Sequence, residues 1–159
     1  MSSIPHMTNA IRMLLEQKVA FSSHEYKYEE KGGTAVSSRE LGVPENQIVK
    51  TLIMETETKS PIIVLMSGDN EVSTKNLARA MGVKSVSPCL PEVANKHSGF
   101  VVGGTSPFGT KSKMLVYMHQ SILEHKEIYI NGGRRGYLVK LDPKEIVRVL
   151  NPVVGNFSA

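Results

Sequence analysis

The sequence predicts an α+β (mixed α/β) fold, a mixed β-sheet with helices packed around it. Three observations carry this. Segments with strand alternation and segments with helical spacing are interspersed along the 159 residues. Two apolar segments, 48–55 and 61–67, are joined by the polar connection Thr56-Glu57-Thr58-Lys59-Ser60; such a hairpin excludes a purely parallel sheet. Capping and breaking residues bound the helical segments, so each helix is short.

The first helix follows Thr8 as N-cap and sets Ile11, Leu14 and Leu15 on one face. Residues 21–28 read as a strand with Ser22, His24, Tyr26 and Tyr28 on one side. Lys31-Gly32-Gly33 breaks it, and a helix over 34–41 stops at Gly42. Pro44 opens a turn of helix before the hairpin. Ser73 caps a helix that runs to Met81 and stops at Gly82. Residues 83–86 read as a short strand, residues around 90–96 as a helix, and 100–102 as a short strand entering Gly103-Gly104. Residues 113–118 and 127–131 are further strands, and Gly132-Gly133-Arg134-Arg135-Gly136 turns the chain into a strand over 137–141. In the last helix Asp142 is the N-cap, Pro143 the first position and Glu145 the third, the pattern of a capping box; it ends at Asn151-Pro152.

The length suits one domain, 1–159, with its core over about 7–150. An apolar fraction of 40% and a charged fraction of 21% fit a globular protein, and no apolar run approaches the roughly 20 residues that cross a bilayer. No membrane association is expected. Residues 1–6 lack the basic-then-apolar pattern of a secretory signal, and Met7 is an alternative start. Cys89 is the single cysteine, so no internal disulfide forms; a reducing, cytoplasmic location is expected.

Residues 1–110 hold 11 of the 19 basic and 11 of the 15 acidic residues, so they balance. The net +4 lies wholly in the C-terminal third, where eight basic residues stand against Glu124, Glu127, Asp142 and Glu145. A local positive field suits a phosphate-bearing partner; an unevenly charged solvated surface is the plainer alternative.

Three segments carry candidate chemistry. Lys50 sits in Ile48-Val49-Lys50-Thr51-Leu52-Ile53, a strand apolar on both faces. An ammonium there either opens into a cleft, to meet a phosphate or an oxyanion, or snorkels to water near the strand end. Gly103-Gly104-Thr105-Ser106-Pro107-Phe108-Gly109-Thr110-Lys111 is a shaped loop whose backbone N–H groups suit a carbonyl oxygen or phosphate. It lacks the Gly-Lys-Ser/Thr of a P-loop, and an ordinary tight loop is the alternative. Asn131-Gly132-Gly133-Arg134-Arg135-Gly136 is either a second ligand-facing loop with two arginines or a simple hairpin turn. His6, His24, His97, His119 and His125 show no metal-ligand spacing, and no cofactor is expected.

Together the three segments, in this order and separation, resemble the YbaK/EbsC family, relatives of the editing domain inserted in bacterial prolyl-tRNA synthetases. The opening helix and His24-Glu25-Tyr26 match as well, so the resemblance spans roughly 7–150. It implies a curved, barrel-like mixed sheet ringed by helices. It implies metal-independent hydrolysis, in trans, of the ester joining an amino acid to the 3′ adenosine of mischarged tRNA, in the service of translation fidelity. The family's strand lysine falls on Lys50, and its glycine loop on Gly103, Gly104, Ser106, Pro107 and Gly109. Tyr26, Thr51, Asn131, Gly132 and Gly133 then border the pocket, and Lys111, Arg134 and Arg135 meet the acceptor end of the tRNA. A prolyl-tRNA synthetase is a candidate partner. Cysteinyl-tRNA(Pro) deacylases of the family tend to have serine at Asn131 and aspartate at Leu138. The amino acid is therefore open among cysteine, alanine and other small residues, and a non-catalytic module that binds aminoacyl-tRNA or a synthetase is the rival expectation.

Overall fold

A computed structural model describes residues 7–159. The expectation drawn from residues 1–6 lies outside them. The elements are α1 (Asn9–Glu16), β1 (Ser22–Glu25), α2 (Gly33–Leu41), β2 (Ile48–Thr56), β3 (Pro61–Ser67), α3 (Thr74–Met81), β4 (Val86–Pro88), α4 (Pro91–Ser98), β5 (Leu115–His119), β6 (Ile128–Arg134), β7 (Tyr137–Leu141), α5 (Pro143–Leu150) and β8 (Val153–Gly155). Short 3-10 turns occupy Glu45–Gln47 and Gln120–Glu124. The eight strands form one mixed sheet in the order β1-β7-β6-β2-β3-β5-β8, with β4 added to β2. The expected hairpin is the antiparallel β2–β3 pair, while β2–β6, β3–β5 and β5–β8 are parallel. No helix among the described residues is long and apolar enough to cross a membrane.

Both faces of β2 are covered, which explains why its sequence is apolar throughout. Val49 and Ile53 join Ala10, Ile11 and Leu14 of α1, Ile63 and Leu65 of β3 and Ile146 of α5 in the main core. On the other face Met54 packs with Met66 of β3 and Leu77 of α3, and Ile48 packs with Tyr129 and Leu138. Lys50 stands between these two smaller clusters, because alternation puts it on the face of Ile48 and Met54.

Several boundaries differ from expectation. The strand expected over 21–28 ends at Glu25, since β7 begins opposite it at Tyr137; Tyr26 N–H instead donates to the Gly136 carbonyl. Residues 83–86 first close α3, with Val83 N–H donating to Ala78 O, so β4 starts at Val86. Residues 100–102 form no strand: Ser98 Oγ and Asn95 Oδ1 accept from the N–H groups of Phe100 and Val102, which turns the chain into the glycine loop. β6 runs through Gly132-Gly133 to Arg134 across a bulge, and the turn is confined to Arg135-Gly136. Asp142 caps α5 by accepting from Lys144 N–H, but Glu145 completes no capping box, because Arg148 holds its carboxylate at 2.6 Å. β8 was not expected.

Candidate functional site

The site begins where two parallel strands part. β2 and β6 pair at Ile48↔Tyr129 and Val49↔Ile130 and no further. Lys50 and Asn131 are the next residues on each strand, so the same register sets them side by side on one face. Beyond them β2 stays with β3, whereas β6 bulges between Asn131 and Arg134. The Lys50 side chain is 18% exposed, and its Nζ lies 3.4 Å from Oε1 of the exposed Glu71. Tyr26 packs against Ile48, Tyr129 and Leu138 on the same face. Burial first, then the neighbouring Tyr28, raises the Tyr26 phenol above its ordinary range, so it stays protonated at neutral pH.

Asn131 joins the two glycine loops. Its Oδ1 accepts from Gly133 N–H at 2.6 Å and Arg134 N–H at 3.1 Å, and its Nδ2 donates to the Gly103 carbonyl at 3.2 Å. A Cβ on Gly104 would lie 2.6 Å from the backbone of Arg134 and Arg135, so only glycine permits this approach. Gly103, at φ +94°, lies against the Tyr28 hydroxyl. Arg135 Nε donates to the Val102 carbonyl at 3.0 Å, and its guanidinium stands 5.1 Å from the Tyr28 ring centre. Val101, Gly133, Arg134 and Arg135 line a hollow of about 280 Å³ beside this junction. Gly132 is pressed on the Tyr137 ring, and its carbonyl accepts from the Thr8 hydroxyl.

Other expected residues lie elsewhere. Thr51 points to the main-core face, opposite Lys50, and its buried Oγ1 has no hydrogen-bond partner among the described residues. Ser106 is fully buried, with Oγ accepting from Phe108 N–H, so its hydroxyl holds the loop's own shape. Pro107, Gly109 and Lys111 line a separate cavity of about 370 Å³ with Met13 of α1, Met114 and Val149 of α5. The Gly104 N–H is committed to the Val101 carbonyl at 2.7 Å. Among the described residues the next two N–H groups, of the buried Thr105 and Ser106, have no acceptor. Buried N–H groups are rarely left so. Sequence reasoning pointed to the loop's backbone N–H groups without singling out these two, and missed Glu71, which lies 21 residues from Lys50 and carries no motif.

Burial, and next the Glu55 carboxylate, push the Cys89 thiol up to about 11, so it is no thiolate nucleophile. His24 stacks edge-on against Tyr129, and burial and Lys140 lower its pKa. No cluster of three His, Cys, Asp or Glu able to hold a metal occurs among the described residues.

The aminoacyl-tRNA editing domain model matches residues 29–149. The chain is 30% identical over 145 residues to the "Putative Cys-tRNA(Pro)/Cys-tRNA(Cys) deacylase EbsC" of Enterococcus faecalis, covering 91% of this chain and 88% of that one. It is 34% identical over 96 residues to the proline–tRNA ligase of Thermodesulfovibrio yellowstonii, of which those residues make up 16%. A crystal structure described as a "putative trans-editing enzyme for prolyl tRNA synthetase" superposes with a TM-score of 0.83 at 23% identity, over 99% of both chains, a likeness of fold.

Proposed function

The chain belongs to the aminoacyl-tRNA editing domain family, and from that membership we propose that it is a metal-independent deacylase acting in trans on mischarged tRNA. The observation that carries this reading is the ammonium of Lys50 on an apolar strand face, where β2 parts from the strand whose next residue ties both glycine loops together. The substrate is an ester between a small amino acid, cysteine or alanine among them, and the terminal adenosine. The editing domain extends over about 7–150, and a proline–tRNA ligase is the partner whose errors it removes.

Hydrolysis requires a water to attack the ester carbonyl, charge to develop on that oxygen, and the ribose hydroxyl to leave with a proton. An activated ester asks mainly for positioning and for stabilisation of the oxyanion. The Thr105 N–H is the donor for that oxygen. Lys50 exchanges Glu71 for the phosphate of the terminal adenosine, an exchange favoured because an exposed ion pair is worth little. Tyr26 and Leu138 wall the aminoacyl side, and Arg134 and Arg135 meet the acceptor backbone. Neither Lys50 nor the protonated Tyr26 serves as a base, so the attacking water is oriented by the substrate's own amine or hydroxyl.

The test is a panel of mischarged tRNAs treated with wild-type protein and Lys50→Ala. Wild type is expected to deacylate at least one small-residue tRNA, and Lys50→Ala to lose at least about 100-fold in kcat/KM with an unchanged thermal midpoint. Full activity in Lys50→Ala removes the lysine from the mechanism. Tight binding without turnover by wild type favours the non-catalytic module.

A further inference from the structure

We propose that Asn131 is a positioning residue for deacylation: its amide fixes the glycine loop against the arginine turn and thereby aims the Thr105 N–H. The proposal rests on the deacylase reading above.

Three hydrogen bonds define the clamp. Two backbone N–H groups, of Gly133 and Arg134, converge on Oδ1, and one carbonyl, of Gly103, faces Nδ2. This fixes the amide's orientation, because the reverse would set donor against donor and acceptor against acceptor. The asparagine amide supplies both the acceptor and the donor that these three bonds use. Alanine has neither group, and an ionised aspartate would set a carboxylate oxygen against the Gly103 carbonyl.

The clamp acts on the Gly103–Gly104 peptide, whose N–H donates to the Val101 carbonyl at 2.7 Å, and holds it from its carbonyl side. Gly103 sits at φ +94° and is followed by a second glycine, so the backbone there has unusual conformational freedom. Gly104 is pressed to backbone contact on Arg134 and Arg135, an approach that brings dispersion contact but no direction. The Gly103 carbonyl belongs to the peptide entering Gly104, so tying it down sets the course of the chain into Thr105 and Ser106. Another tie, from Arg135 Nε to the Val102 carbonyl, lies on the exposed side and holds the peptide before Gly103. Asn131 follows Ile130 on β6 as Lys50 follows Val49 on β2, so the clamp is anchored at the point where the two strands part.

The test compares wild type, Asn131→Ala and Asn131→Asp, first by hydrogen exchange of the 103–108 segment and then by single-substrate kinetics. Faster exchange of that segment in both variants at neutral pH is expected, with the α1 and β3 amides unchanged. On the mischarged tRNA that wild type hydrolyses best, kcat should fall on the order of 10- to 100-fold in both, with KM within about threefold, because geometry rather than binding is lost. As pH falls toward the ordinary carboxylate value of about 4, the introduced carboxyl of Asn131→Asp regains a proton to donate to Gly103, so its deficit should shrink while that of Asn131→Ala persists. Unchanged exchange in both variants, unchanged kcat, or a pH-independent Asn131→Asp deficit would each overturn the proposal. If wild type hydrolyses no substrate, the deacylase reading fails, and exchange alone then decides whether the clamp exists.

Discussion

Thr51 separates stability from use within one side chain. Its buried hydroxyl has no partner among the described residues, and such a group carries a desolvation cost. Valine has nearly its shape. Thr51→Val should therefore raise stability by about 1 kcal/mol in urea titration. The side chain faces the main core and not the Lys50 face, so kcat/KM should be unchanged; a several-fold fall would return Thr51 to the site. Gly104→Ala tests the opposite case, a residue whose smallness is structural. The added Cβ would meet backbone atoms of Arg134 and Arg135 at 2.6 Å, and backbone cannot swing aside. A loss of about 1–3 kcal/mol is expected, read as a lower urea midpoint. At this scale the sequence was informative about Lys50, because a charge in an apolar strand violates a strong pattern. It placed Asn131 and Thr51 at the pocket through the family resemblance, but could show neither the tie from Asn131 to Gly103, 28 residues away, nor the core-facing setting of Thr51 opposite Leu65 of β3.

Elements whose signal is local were the readable ones. α1, α3 and α5 begin at Thr8, Ser73 and Asp142 as their capping chemistry predicts, and the β2–β3 hairpin follows from alternation around a polar connection. Elements that exist only through a distant partner were not. β8 is three residues long, too short to alternate, and is held by β5 through a parallel register that begins 36 residues earlier, Tyr117↔Val153. The expected strand over 100–102 has strand composition but no partner. Two element-scale tests follow from the contacts. The Thr8 hydroxyl accepts from Ile11 N–H and donates to the Gly132 carbonyl, so it caps α1 and ties it to β6. Thr8→Ala should destabilise by about 1–2 kcal/mol in urea titration, the upper part of the range for a cap. At the other end Phe157 N–H donates to His119 Nδ1, which requires a neutral ring. Burial lowers the His119 pKa from 6.5, against a smaller raising influence of Glu124. The unfolded chain therefore takes up a proton at a higher pH than the folded one. Stability should fall as pH drops below about 6.5, a window that urea midpoints at pH 8 and pH 5.5 bracket, and His119→Gln should flatten the slope.

For the molecule as a whole, the question is how a protein of net +4 engages a polyanion. Uniform charge would make any surface equivalent, but the excess is confined to the last third of the chain. The fold then divides that excess. Arg134 and Arg135 border the hollow beside the Asn131 junction, while Lys111 lines the separate cavity against α1 and α5. On the proposed reading, an acceptor end bound at Lys50 also meets the arginines of this junction. Each phosphate neutralised releases counterions, so log Kd for tRNA should vary linearly with log salt, with about 0.7 of slope per contact for single-stranded nucleic acid. Arg135→Ala should reduce the slope by roughly that amount and weaken all tRNAs equally, since a phosphate contact carries no sequence information. Lys111→Ala, on the other cavity, should change it less. Filter binding across a salt series reads both; an Arg135→Ala slope equal to wild type would place the tRNA path elsewhere on the surface.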